Sequence, residues 1–160
     1  MSSSDAPAEA PFPLEETGAW GHYDLHCHCG AVRYTMKMSP PLFEEESQGK
    51  GVWKVNECDC SWCERNGSLA VHPLEENVTW TRGVEHLSKY SFGNKNVEHL
   101  FCSKCGSFVG SDSGAMFKKM GSAPRTVVNV RMLKDFDRKK LTIKRVEFMK
   151  QMPPKYSIDD

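Results

Sequence analysis

The sequence predicts a mainly β protein. Three observations carry this reading. Short runs that alternate apolar and polar residues recur along the chain, no long stretch holds a helical period, and Pro, Gly, Asn or charged residues separate the runs. The 160 residues suit a single domain. Residues 1–19 are rich in Ser, Ala, Pro and Glu and show no clear apolar period. They are expected to form a flexible tail, which places the folded domain at 20–156.

The elements follow in order. In AVRYTM, Val32, Tyr34 and Met36 face one way and Ala31, Arg33 and Thr35 the other, the pattern of a half-buried strand. Before it lies GHYDLHCHCG, where Gly30 is well placed to turn the chain. SPPLFEEESQGKG is a loop by composition. VWKVNE reads as a strand leading into a cysteine cluster, and SLAVHP, NVTWTRG, EHLSKYSF and VEHLFC are short β-prone runs. In PRTVVNVRM, Val128, Val130 and Met132 share one face, with Val127, Asn129 and Arg131 on the other. LKDFDRKK holds one short helical turn. LTIKRVEF is a last strand whose apolar phase slips after Ile143, which suggests a bulge, and QMPPKYSIDD is extended or loose.

Lys+Arg and Asp+Glu both count 21, so the net charge is zero and gives no electrostatic case for nucleic acid or an anionic membrane as partner. No apolar run reaches the roughly 18 residues of a membrane span. The N-terminus lacks the basic start and apolar centre of a secretory signal, so a soluble, cytoplasmic protein is expected. Its seven cysteines are an odd number, and in a reducing cytosol tight clusters of them point to metal before disulfides.

The clusters are Cys27-x-Cys29, Cys58-x-Cys60-x-x-Cys63 and Cys102-x-x-Cys105. In an extended strand Cys27 and Cys29 point the same way, and CSKCG is a knuckle whose Gly106 tolerates the turn. Two distant pairs make a four-thiolate zinc site, which leaves Cys58, Cys60 and Cys63 as a three-ligand site with an open position. Spacing leaves other arrangements open. Cys60 and Cys63 also match a redox dithiol. A histidine (His26, His28, His72 or His99) can close the triplet into a second structural zinc, or Cys58 and Cys60 can join Cys102 and Cys105.

CHCGAVRY, CDCSWCERNGSLAVHP, HLFCSKCGSFVGSD, VVNVRML and the late Pro pair in MPPKY together resemble the glutathione-dependent formaldehyde-activating enzyme family, which includes centromere protein V. The likeness runs from about residue 22 to residue 156. It implies an antiparallel β-tent fold with zinc-knuckle loops, two zinc ions per chain, a structural site at Cys27, Cys29, Cys102 and Cys105, and a catalytic one at Cys58, Cys60 and Cys63. The implied activity is that of a carbon–sulfur lyase joining glutathione and formaldehyde, or reversing that step. Where the family often has Cys-Asn-Cys, this chain has Asp59 between Cys58 and Cys60.

On that reading the triplet metal takes a thiol sulfur or polarises a carbonyl. Glu64 and Asp59 are candidates for moving the proton. Arg65, Arg131 and Lys104 are candidates for glutathione's carboxylates, Asn129 for a peptide group, and Trp62 for a pocket wall. A zinc-stabilised binding module without catalysis and a redox dithiol enzyme are the alternatives. The acidic tail argues against the chromatin or microtubule partner such a module would want. The oligomeric state is not legible in the sequence.

Overall fold

The computed structural model describes residues 11–153 and 155–158. The expected mainly β fold is what it contains, in two sheets. The smaller has three strands: β1 (Gly21–His26), β2 (Arg33–Met38) and β5 (Val78–Arg82), in the order β1-β2-β5. The larger contains β3 (Val55–Cys58), β4 (Ala70–Val71), β6 (Leu87–Tyr90), β7 (Glu98–Cys102), β8 (Phe108–Asp112), β9 (Thr126–Asn129) and β10 (Ile143–Val146). Its order is β10-β3-β4-β9-β8-β7-β6. All pairings are antiparallel except β10 with β3, which is parallel. Two short α-helices, α1 (Ser61–Asn66) and α2 (Gly114–Lys119), and six single 3-10 turns complete the regular structure among the described residues.

The alternation read in AVRYTM is realised in β2, where Tyr34, Met36 and Met38 are buried. They meet Val55, Val71, Val109 and Val128 of the larger sheet, and Leu69 just before β4, in one core. The Tyr34 hydroxyl crosses between the sheets and donates to the Val109 carbonyl at 2.9 Å. Burial pushes that phenol's pKa well up, so the donor stays protonated.

Several expectations change. The strand β8 and both helices were not legible, because SFVGSD and SGAMFKK carry no period long enough to read. PRTVVNVRM does not alternate to its end: the strand stops at Asn129, and Val130–Met132 is a 3-10 turn. Asn129 and Val130 are therefore both buried. The final strand has no bulge: Ile143 to Val146 pair in register with Val55 to Cys58. Its broken apolar phase reflects an edge position, where one side meets solvent.

Of the expected tail, residues 1–10 lie outside the described residues. Residues 11–19 run against the domain. Phe12 packs beside His72 at 5.2 Å and beneath the Arg125 guanidinium at 4.6 Å. Asn56 donates its amide to the Pro11 carbonyl, the amides of Thr17 and Gly18 donate to Ser39 Oγ, and Ala19 is fully buried. A single aromatic anchor and a few backbone bonds give no periodic signal, which is why composition alone grouped these residues with the tail.

Candidate metal centres and the adjoining groove

The seven cysteines form two groups. Cys27, Cys29, Cys102 and Cys105 lie together, and so do Cys58, Cys60 and Cys63; within each group the sulfurs are all within 4.8 Å of one another. The exchanged pairing left open by spacing is not the arrangement adopted. No histidine or carboxylate joins either group among the described residues.

The first group is made by two knuckles. The chain leaves β1 at His26 and turns at once, with the Gly30 amide bonded to the Cys27 carbonyl and the Cys27 amide to the Val32 carbonyl. Cys27 and Cys29 thus converge through a turn, correcting the expectation of an extended strand. Gly30 turns the chain at φ +76°. After β7 the Gly106 amide bonds to the Cys102 carbonyl in the second knuckle. Backbone N–H groups point at the sulfurs, among them Val32 at Cys27 (3.3 Å) and Lys104 at Cys102 (3.4 Å). Cys27 and Cys102 are fully buried, and Cys29 is exposed.

The second group spans the end of β3 and the start of α1. Cys60 is the N-cap of α1, and its sulfur accepts from the Cys63 amide at 3.3 Å. The Cys60 amide in turn donates to Cys58 Sγ at 3.3 Å. Gly67, left-handed at φ 60°, ends the helix after six residues. Sulfur capping both starts the helix and aims Cys63 back toward Cys58 and Cys60. The three thiols share charge unequally. Cys60 is pushed far down by hydrogen bonds from Cys58 and Cys63 and then by the Cys63 and Trp62 amides. Cys58 is pushed up to about 11, chiefly by its bond to Cys60, and Cys63 is pushed up by Cys58 and Cys60.

Both groups fit a thiophilic ion. A tetrahedral zinc with Zn–S near 2.3 Å sets sulfurs about 3.8 Å apart. Cys27 to Cys29 is 3.6 Å and Cys29 to Cys102 is 3.8 Å. N–H groups aimed at sulfur favour the thiolate form that ligation requires.

A two-lobed groove adjoins the triplet. One lobe, about 320 Å³, is lined by Cys60, Glu64, Arg65, Lys150 and Lys155 among others. The second, about 340 Å³, is lined chiefly by the rings of Trp62, Tyr90, Phe92, Phe101 and Tyr156. Ser61, Arg65, Phe92 and Tyr156 border both. Trp62 stacks between Tyr90 (5.1 Å) and His99 (4.4 Å). His99 is buried, its Nδ1 is 2.8 Å from Ser111 Oγ, and burial lowers its pKa to about 4. It is a neutral ring behind the wall.

The candidates named from sequence separate. Trp62, Glu64 and Arg65 border the groove, and Asp59 reaches the lining of its cationic lobe. Arg65 donates from Nη1 to the Ser61 carbonyl at 3.0 Å and lies over the Tyr156 ring at 5.3 Å. Glu64 Oε1 is 3.1 Å from Arg145 Nη2. Asn129 is buried, and its amide serves the protein's own backbone: Oδ1 accepts from Leu69 and Arg131, and Nδ2 donates to Phe108. Arg131 donates from Nε to the Gly67 carbonyl and lies over Phe136, away from both lobes. Lys104 sits in the second knuckle of the other group. Asp59 is buried, with Oδ1 accepting from the Met149 and Lys150 amides at 2.9 and 3.2 Å. Sequence reasoning missed Tyr90, Phe92, Lys150, Lys155 and Tyr156. The one signal present was ring residues at i and i+2 in KYSF.

A family model for the glutathione-dependent formaldehyde-activating enzyme matches residues 22–144, more than half of the chain. The chain belongs to this family. Its matched span includes all seven cysteines of the two groups. The chain is also similar to a Rhodobacter sphaeroides protein of known crystal structure, at 28% identity and a TM-score of 0.54. That likeness covers 72% of this chain and 92% of the other. Among the described residues, no helix is long and apolar enough to cross a membrane.

Proposed function

We propose that this protein is a zinc-dependent carbon–sulfur lyase acting on glutathione or a related thiol adduct, with chemistry of the S-hydroxymethylglutathione type. One observation carries the reading: the three-sulfur group opens, through Cys60, into a groove bordered by Arg65, Lys150 and Lys155. Family membership supplies the thiol class. In this reading Cys27, Cys29, Cys102 and Cys105 hold a structural zinc, and Cys58, Cys60 and Cys63 hold the catalytic one. A zinc ion there supplies Lewis acidity and favours thiolate over thiol near neutral pH.

The chain's own residues do the rest. Arg65 and the two lysines set positive charge where a tripeptide thiol carries two carboxylates. Arg65 reaches the groove with its position already fixed by Ser61 and Tyr156, so little side-chain freedom is lost on binding. Glu64 borders the same lobe and is assigned the hydroxyl proton of the adduct. Its pairing with Arg145 fixes one carboxylate oxygen. Trp62 closes the floor between Tyr90 and His99, which excludes water from one side.

The test is exchange spectroscopy on the zinc-loaded protein with glutathione and formaldehyde. Faster interconversion of free thiol and hydroxymethyl adduct than in buffer is expected, and Cys60→Ser should abolish the acceleration. Interconversion at the buffer rate by a fully metallated wild-type protein overturns the reading.

A further inference from the structure

The groove has a second lobe that a one-carbon adduct does not need. Five aromatic side chains, Trp62, Tyr90, Phe92, Phe101 and Tyr156, line about 340 Å³ directly beside the sulfur cluster's lobe. The two lobes meet at Ser61, Arg65, Phe92 and Tyr156, so a single molecule can occupy both. Their chemistries differ. The cationic lobe suits the carboxylates of the thiol, and the ring-lined lobe suits apolar carbon. Tyr90 and Tyr156 remain 43% and 45% exposed, so these rings face outward for a partner instead of closing a core.

From this arrangement we infer that the substrate is a glutathione adduct of an apolar, ring-sized aldehyde, with its carbon group in the aromatic lobe. The inference rests on the glutathione reading above and narrows its substrate class. The reaction is the reversal of thiohemiacetal formation. The C–S bond breaks and its electron pair stays on sulfur. The hydroxyl oxygen loses its proton as the carbonyl forms, and the sulfur gains a proton. The products are free thiol and aldehyde, with no change of oxidation state.

Titration calorimetry on the zinc-loaded protein separates the outcomes, using glutathione, S-methylglutathione and S-benzylglutathione as probes. Burial of a phenyl group predicts that the benzyl conjugate binds roughly tenfold to a hundredfold tighter than the methyl conjugate. Tyr90→Ala and Phe92→Ala should each shrink that ratio several-fold, with zinc content and thermal midpoint confirming that the variants fold. Binding of glutathione with equal affinity for the methyl and benzyl conjugates overturns this inference and leaves the glutathione reading standing. A benzyl preference untouched by both variants places the ring elsewhere and overturns it too. Failure of all three probes to bind overturns both.

Discussion

At the scale of single residues, Asp59 ties two parts of the chain together. Cys58 and Cys60 flank it in sequence, while its buried Oδ1 holds the amides of Met149 and Lys150 from the far end of the chain. Asp59→Ala should cost about 1–3 kcal/mol, and those two amides should lose hydrogen-exchange protection. Asp59→Asn keeps an acceptor oxygen and should retain most of it; equal loss in both variants would rule out this role. Under the proposed function, in which Glu64 moves the hydroxyl proton, Glu64→Gln should slow turnover by about a hundredfold with the melting point almost unchanged. His72 makes a different prediction. Its buried Nδ1 has no hydrogen-bond partner among the described residues, and burial, aided by the nearby Arg125 charge, lowers its pKa to about 4. Between about pH 6.5 and 4 the unfolded chain therefore binds a proton at this site that the folded chain refuses. Stability should fall as pH drops through that window, and His72→Leu should flatten the acid limb of a pH–melting curve.

At the scale of elements, the cysteine loops depend on close backbone packing. Gly83, at φ +81°, lets the approach to β6 pass the loop between β1 and β2, where an added Cβ would lie 1.9 Å from the Ala31 carbonyl oxygen. That loop carries Cys27 and Cys29. Gly83→Ala should cost about 2 kcal/mol or more and lower metal content at the four-cysteine site, read by calorimetry and a metal assay on one sample. In α1 the helix start and the sulfur cluster are one feature, since Cys60 caps the helix that carries Cys63. The sequence disclosed the triplet but not this helix. Six residues ended by a glycine are too few to show a period, and a sulfur is not the usual capping oxygen.

Across the whole molecule, the four-cysteine group joins the β1–β2 loop of the smaller sheet to the β7–β8 loop of the larger one. The triplet joins only β3 to the helix that follows it. A chelator titration should therefore release metal in two steps. Loss from the half-buried triplet should leave the melting point within a few degrees of the starting value, and loss from the four-cysteine group should unfold the chain. Cys60→Ser and Cys102→Ser should reproduce the two steps separately, and a single step that unfolds the protein would refute the division. The sequence by itself determined the β class, the buried face of β2, and which residue types could hold a thiophilic ion, because strand period and donor chemistry are local properties. The fold adopts the four-plus-three grouping of the cysteines that the family resemblance implied. Tertiary structure alone decided that Asn129 serves the backbone and that a groove exists. Its walls come from 59–66, 90–101, 149–152 and 155–156, segments far apart in the chain. No local period records such a meeting, because it is set by how the strands order across the larger sheet and where the chain's end crosses the buried Asp59.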